Sequence, residues 1–195
     1  MKLLVTGMFA LASIASGATL TVNMNVDNVF DLYLSTSDAV LGTAVGTGNN
    51  WPVTYTFTPL LTPGVTNYIH IVAVDQGLPA GFLGDFSVDD PLFQFVNGTQ
   101  SLVTNTTWSF NTTGFGNPYS SPADEGVNGV GPWGTRTGVS SPAHWIWDPR
   151  NASTVYFSTP ITYTGASTDT PEPAAVSLLV GGLALCLMRR RKSSV

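Results

Sequence analysis

The chain of 195 residues has one cysteine, Cys186, close to its C-terminus. Everything before it can form no disulfide, even in a compartment that would allow one. Stability there must come from a packed core. Basic residues are also scarce. Of seven, Lys2 opens the chain and Arg189, Arg190, Arg191 and Lys192 lie near its end. Between Thr19 and Thr168 only Arg136 and Arg150 remain, against ten acidic residues, a net charge of −8. So few cations release few phosphate counterions, which argues against a nucleic-acid partner. Charged residues make up only 10% of the chain and hydrophobic ones 43%. That balance excludes a disordered tail, and it lacks the Glu, Lys and Arg of coiled coils. The two histidines, His70 and His144, stand far apart. The sequence has no Gly-x-Ser-x-Gly elbow, no His-Glu-x-x-His and no phosphate-binding loop.

Both ends carry transport signals. Lys2 is a positive n-region and Leu3 to Ala15 is apolar. Ser16-Gly17-Ala18 places small residues at −3 and −1 of a cleavage site, so residues 1–18 read as a secretory signal peptide cut after Ala18. Residues 174–188 form an uncharged, mostly apolar run. As a helix it spans roughly 22 Å, short of the ~30 Å hydrocarbon core, yet thinning and snorkelling let it cross. Arg189-Arg190-Arg191-Lys192 follows as a stop-transfer cluster, leaving 189–195 as a basic cytoplasmic tail. Residues 166–173 are a linker ending in Pro171-Glu172-Pro173, a stiff, extended peptide that a processing enzyme can grip.

Pro-Glu-Pro, a short apolar helix and a basic cluster, in that order at the terminus, resemble the PEP-CTERM sorting tail of Gram-negative bacteria. The resemblance covers about the last 25 residues. It implies an exosortase, a membrane cysteine peptidase, as the partner that cuts near Pro171-Glu172-Pro173. Cys186 departs from the small and aliphatic residues usual in such helices.

The remaining 19–165 reads as all-β. Leu20, Val22, Met24 and Val26 alternate with polar neighbours, and Val29–Leu34 follows across an Asp27-Asn28 turn. Val53–Thr58 alternates, and Tyr68–Val74 is a near-continuous apolar run expected at the centre of a sheet. Further strands are expected at Phe82–Val88, Leu92–Val96, Leu102–Phe110, His144–Trp147 and Val155–Thr162. Many short strands divided by turns indicate a sandwich or barrel. Asn111 to Pro142, rich in Gly, Pro, Ser and Asn, reads as one long functional or packed loop.

Asp27–Leu34, Gly48-Asn49-Asn50-Trp51, Tyr55-Thr56-Phe57, Pro63-Gly64, Tyr68–Asp75 and Gly77–Phe82 resemble in series the galactose-binding-like jelly-roll modules of exported bacterial proteins. Ala143–Asp148 and Thr154–Phe157 resemble the closing strands. The resemblance implies a jelly-roll-like β-sandwich; the family includes sugar binders and members with no known ligand, so it implies fold more than function.

Candidate sites follow from residue chemistry. Sugar rings stack on aromatic faces, and Trp51, in a turn, and Trp133, between glycines in the long loop, are the candidate platforms. Calcium takes six to eight oxygens, and Asp75, Asp85, Asp89 and Asp90 are candidate ligands, with Asp124 and Glu125 considered beside them. Asp124-Glu125 and Asp89-Asp90 are also the carboxylate pairs a glycoside hydrolase would need. His70 and His144 read as structural. The expectation is an exported, non-enzymatic cell-surface or matrix protein that binds exopolysaccharide. It would pass through the Sec machinery and signal peptidase, anchor in the inner membrane by its tail, and then meet an exosortase. A purely structural or adhesive module, and a secreted glycan-active hydrolase, are the alternatives.

Overall fold

The computed structural model describes residues 17–165. The leader through Ser16, Pro171-Glu172-Pro173, the 174–188 run and Arg189–Lys192 lie outside the described residues. Among the described residues no helix is long and apolar enough to cross a membrane.

Twelve strands follow one another in the described chain. The first six are β1 (Leu20–Asp27), β2 (Val29–Ser35), β3 (Thr43–Gly48), β4 (Tyr55–Phe57), β5 (Asn67–Val74) and β6 (Gly81–Val88). The second six are β7 (Phe93–Phe95), β8 (Ser101–Val103), β9 (Ser109–Asn111), β10 (Ala123–Val127), β11 (His144–Trp147) and β12 (Thr154–Tyr163). They build two six-stranded sheets, and every ladder is antiparallel. One sheet runs β10-β11-β6-β1-β4, with β8 also on β6. The other runs β3-β2-β5-β12-β7, with β9 also on β12. The protein is thus an all-β, two-sheet sandwich.

The alternation in β1 explains its place. Leu20, Val22, Met24 and Val26 face inward and are buried. They meet Phe82 and Phe86 of the same sheet and Leu32, Ile69, Ile71 and Phe157 of the other in one core. Each such fully buried side chain contributes about 1.5–3 kcal/mol of transfer free energy. Aromatic edges lock this core, with Phe82 against Trp108 at 5.2 Å and Phe157 against Phe82 at 5.0 Å. Tyr68–Val74 does lie centrally, between β2 and β12.

The expected Asp27-Asn28 turn joins the two sheets: β1 and β2 belong to different ones, and the turn carries the chain across the core, while two other expectations change. Asn28 N–H donates to Val74 O at 3.1 Å, which fixes that corner. The stretch Leu102–Phe110 is two short strands, β8 and β9, one in each sheet. Asn111–Pro142 is not one loop, since it holds β10, which pairs with β11 through a bulge at Asp124/Gly126. The rest of that segment is packed: Trp133 and Val139 join Leu83, Ala143 and Trp145 in a second apolar cluster. Trp145 and Trp147 divide between the clusters, since Trp147 joins the main core against Phe157.

The sandwich has two distinct ends. Leu20 pairs with Val88, Ser35 with Tyr68, and Ile161 with Asn67 at one of them, the Leu20 end. Asp27 pairs with Gly81, and Val74 with both Val29 and Thr154, at the other, the Asp27 end.

Candidate functional site

Each sheet ends in an edge strand on the same flank, β3 in one and β4 in the other. Between them, toward the Leu20 end, opens a cleft of about 860 Å³. It lies beyond the points where the two edges approach: Tyr55 of β4 lies over Gly48 of β3, and the next contact along closes the cleft. There Phe57 of β4 lies over Gly46 of β3, and any Cβ at Gly46 would overlap the ring. Phe57 is held in turn by Phe30, edge-on at 6.1 Å. Apolar Leu34, Val45 and Phe57 line the cleft beside hydroxyls from Ser35, Thr43, Thr56 and Thr58. Two of these hydroxyls are committed: Ser35 Oγ donates to Ser37 O at 2.8 Å and Thr56 Oγ1 to Asn23 Oδ1 at 2.7 Å. Val40 and Leu60 stand on the wall, 59% and 66% exposed. A wall mixing apolar patches with hydroxyls suits a polyhydroxylated ligand with apolar faces.

Trp133 does not face solvent. It is 3% exposed, stacks on Trp145 at 4.6 Å, and donates its indole N–H to Asp27 Oδ2 at 2.9 Å. The expectation of an exposed platform there is corrected: the flanking glycines let the chain fold the ring inward over Gly81, not outward. Trp51 is half-buried in the same region, with the Arg136 guanidinium 5.2 Å from its ring centre. Its face is already taken by a cation.

The acids named for calcium do not converge. Asp75 lies at the Asp27 end, where its Oδ1 accepts from Gly77 N–H. Asp89 and Asp90 lie at the Leu20 end and accept from the N–H groups of Thr19 and Leu92. Asp85, mid-strand, accepts from Ser140 N–H. A strand of eight residues separates the two groups, roughly 25 Å. Among the described residues no cluster of three or more His, Cys, Asp or Glu could hold a metal ion.

Asp124 and Glu125 sit on the β10 edge. Both Asp124 oxygens lie within 2.9 and 3.0 Å of His144 Nδ1. That hydrogen bond holds the Asp124 carboxyl below its usual range, whereas burial, then the Asp124 charge, raises Glu125. His144 is therefore an Asp-paired surface side chain. On β1 of the same sheet, burial raises Asp27 despite its bond to Trp133, and nearby Asp75 adds to the rise.

One cluster had no signal in the sequence. Asp38 Oδ1 accepts from Ser158 Oγ at 2.6 Å and Tyr119 OH at 3.0 Å, and lies 3.4 Å from His70 Nε2. Phe115 stacks flat on His70 at 3.8 Å and closes it from solvent. His70 and Ser158 are register partners on β5 and β12. The cluster is a latch that pins two loops to the outer face of the sheet. The serine hydroxyl is turned to the carboxylate, not to the imidazole, so it is no nucleophile–base pair.

Comparison with protein-family models, with curated proteins and with solved structures finds no match to this chain.

Proposed function

We propose that this chain is an exported, non-enzymatic protein of the cell surface or extracellular matrix, sorted by an exosortase. The leader, the acidic body, Pro171-Glu172-Pro173, the apolar run and the basic cluster stand in the order such a route needs. The observation that carries the reading is where the body is joined to its two tags. Thr19, the first residue after the leader, donates its N–H to Asp89 Oδ1 at 2.7 Å. Thr164, next to the tail linker, donates its N–H to Leu92 O at 2.7 Å. Both joints lie at the Leu20 end of the sandwich. The net charge of −8 favours solubility of the released body. We read the finer architecture as jelly-roll-like, supported by two facing six-stranded antiparallel sheets.

The test is fractionation of the full chain in a Gram-negative host with and without an exosortase. Release from the inner membrane should require the enzyme, and Glu172→Ala should block it. Release of the variant as efficiently as the parent would sink the reading.

A second reading adds exopolysaccharide binding, and the β3–β4 cleft favours it. Retention of the exported protein on purified matrix polysaccharide, lost in Thr43→Trp, would support it. Equal elution of both proteins with the void would leave a structural module.

A further inference from the structure

We infer that a second pocket, sharing no residue with the β3–β4 cleft, takes a uronic acid, a sugar ring that bears a carboxylate. The inference adds a charged sugar to the polysaccharide reading above and does not depend on the cleft.

The pocket holds about 240 Å³, below the roughly 300–1,000 Å³ of a drug-sized site, so it suits a single sugar unit. Two separate turns build its walls. One is the turn from β11 into β12. There Asn151 N–H donates to Asp148 O at 2.9 Å, and Ala152 N–H donates to Asp148 Oδ2 at 3.1 Å. Asn151 has φ 55°, a left-handed conformation that Asn adopts more readily than most residues. This turn sets Arg150 on the pocket wall. The other wall continues β9. Asn111 Oδ1 accepts from the N–H groups of Thr113 and Gly114, both at 2.9 Å, and Phe110 exchanges two backbone hydrogen bonds with Ser120. β9 pairs with β12, Asn111 opposite Tyr156, which ties the two walls to one strand. A ligand meets walls that are already fixed, so little ordering opposes its binding.

The chemistry of the walls selects the ligand. Between Thr19 and Thr168 the chain has two arginines. Arg136 is engaged: it donates to Pro52 O at 3.1 Å and lies over the Trp51 ring. Arg150 is exposed and forms no ion pair among the described residues. Its guanidinium fork matches a carboxylate through two parallel N–H···O bonds. Asp148, on the same wall, is 3% exposed, and only its Oδ2 accepts a hydrogen bond from the described residues. Its Oδ1 is left to accept from a ligand donor. Sulfate answers the charge of Arg150 but is repelled by Asp148 and brings it no proton. A neutral sugar answers Asp148 and leaves Arg150 unpaired. A uronic acid answers both, with its carboxylate at Arg150 and a ring hydroxyl at Asp148. Hydroxyls of Thr112, Thr113, Ser120 and Ser121 line the rest of the pocket, and Phe110 and Pro118 add apolar surface for the ring face.

The experiment titrates the full chain, purified in detergent, with galacturonic acid, galactose and sodium sulfate, followed by ligand-detected NMR. Salt at about 0.15 M screens the repulsion of an anion by the acidic body beyond about 8 Å. Galacturonate should bind, with galactose and sulfate at least about tenfold weaker, the factor a charge-assisted hydrogen bond supplies. Arg150→Gln, at an exposed position, should lose that preference while melting at the parent's temperature, and Thr43→Trp should keep it. Galactose or sulfate binding as well as galacturonate, unchanged binding in Arg150→Gln, or no binding of galacturonate would each overturn the inference. Polysaccharide retention that Thr43→Trp abolishes, in a chain that does not bind galacturonate, would overturn this inference alone and leave the cleft reading standing.

Discussion

The indole N–H of Trp133 donates to Asp27 Oδ2 at 2.9 Å, joining two buried residues 106 positions apart. Asp27 ends β1 at the corner where the chain changes sheet, and Trp133 anchors the segment that covers that sheet's outer face. Trp133→Ala should cost about 3–5 kcal/mol, the range for a large buried aromatic. Trp133→Phe keeps the stack on Trp145 but strands a carboxylate oxygen, at a cost of about 1–3 kcal/mol. Denaturant unfolding checks both, and equal stability of all three proteins would contradict the contact's role.

Burial holds the Asp27 carboxyl above its usual 3.8, so the folded chain keeps this proton to higher pH than the unfolded chain does. Between those two values the folded state binds more protons, and this group's contribution to stability falls as pH rises. Asp124 runs the other way. Its lowered value gives a contribution present above 3.8 and lost as pH falls through the folded value. Asp27→Asn should flatten the first slope and His144→Ala the second. The second effect stays below about 1 kcal/mol because that pair is exposed. Unfolding midpoints across an acid pH series measure both.

Gly46 lets the Phe57 ring close one end of the cleft. Gly46→Val should push the two edge strands apart at a cost of about 1–3 kcal/mol, typical of overpacking. A lowered melting temperature with unchanged secondary-structure spectra is expected, and no change would mean that the strands do not meet there.

Asp38 fastens His70, Ser158 and Tyr119 at one oxygen. Asp38→Ala should free the loops around residues 36–42 and 112–119, costing about 1–3 kcal/mol for the buried donors left unpaired. Limited proteolysis should then cut first in those two loops. Cutting elsewhere, at the parent's rate, would show that other contacts hold them.

Strands with alternating or continuous apolar residues could be read directly from the sequence: β1, β2, β5, β6, β11 and β12 fall within a residue or two of expectation. β3, Thr-Ala-Val-Gly-Thr-Gly, and β10, Ala-Asp-Glu-Gly-Val, could not. They are edge strands, and their strand state comes from a neighbour more than from their own apolar pattern. Turn chemistry marked Asp27-Asn28 as a reversal but carried no information on which sheet receives β2. The same limit applies to the site residues. Glycines around Trp133 signal a loop, while its burial depends on Asp27, and no local pattern links Asp38 to Ser158, 120 positions later.

The central claim is tail-directed sorting, and the intact mass of the protein released by an exosortase-bearing host tests it most directly. The account predicts a chain that ends near Pro171-Glu172-Pro173 and lacks the apolar run and basic cluster. A released or surface-held protein whose mass still extends to Val195 would contradict it.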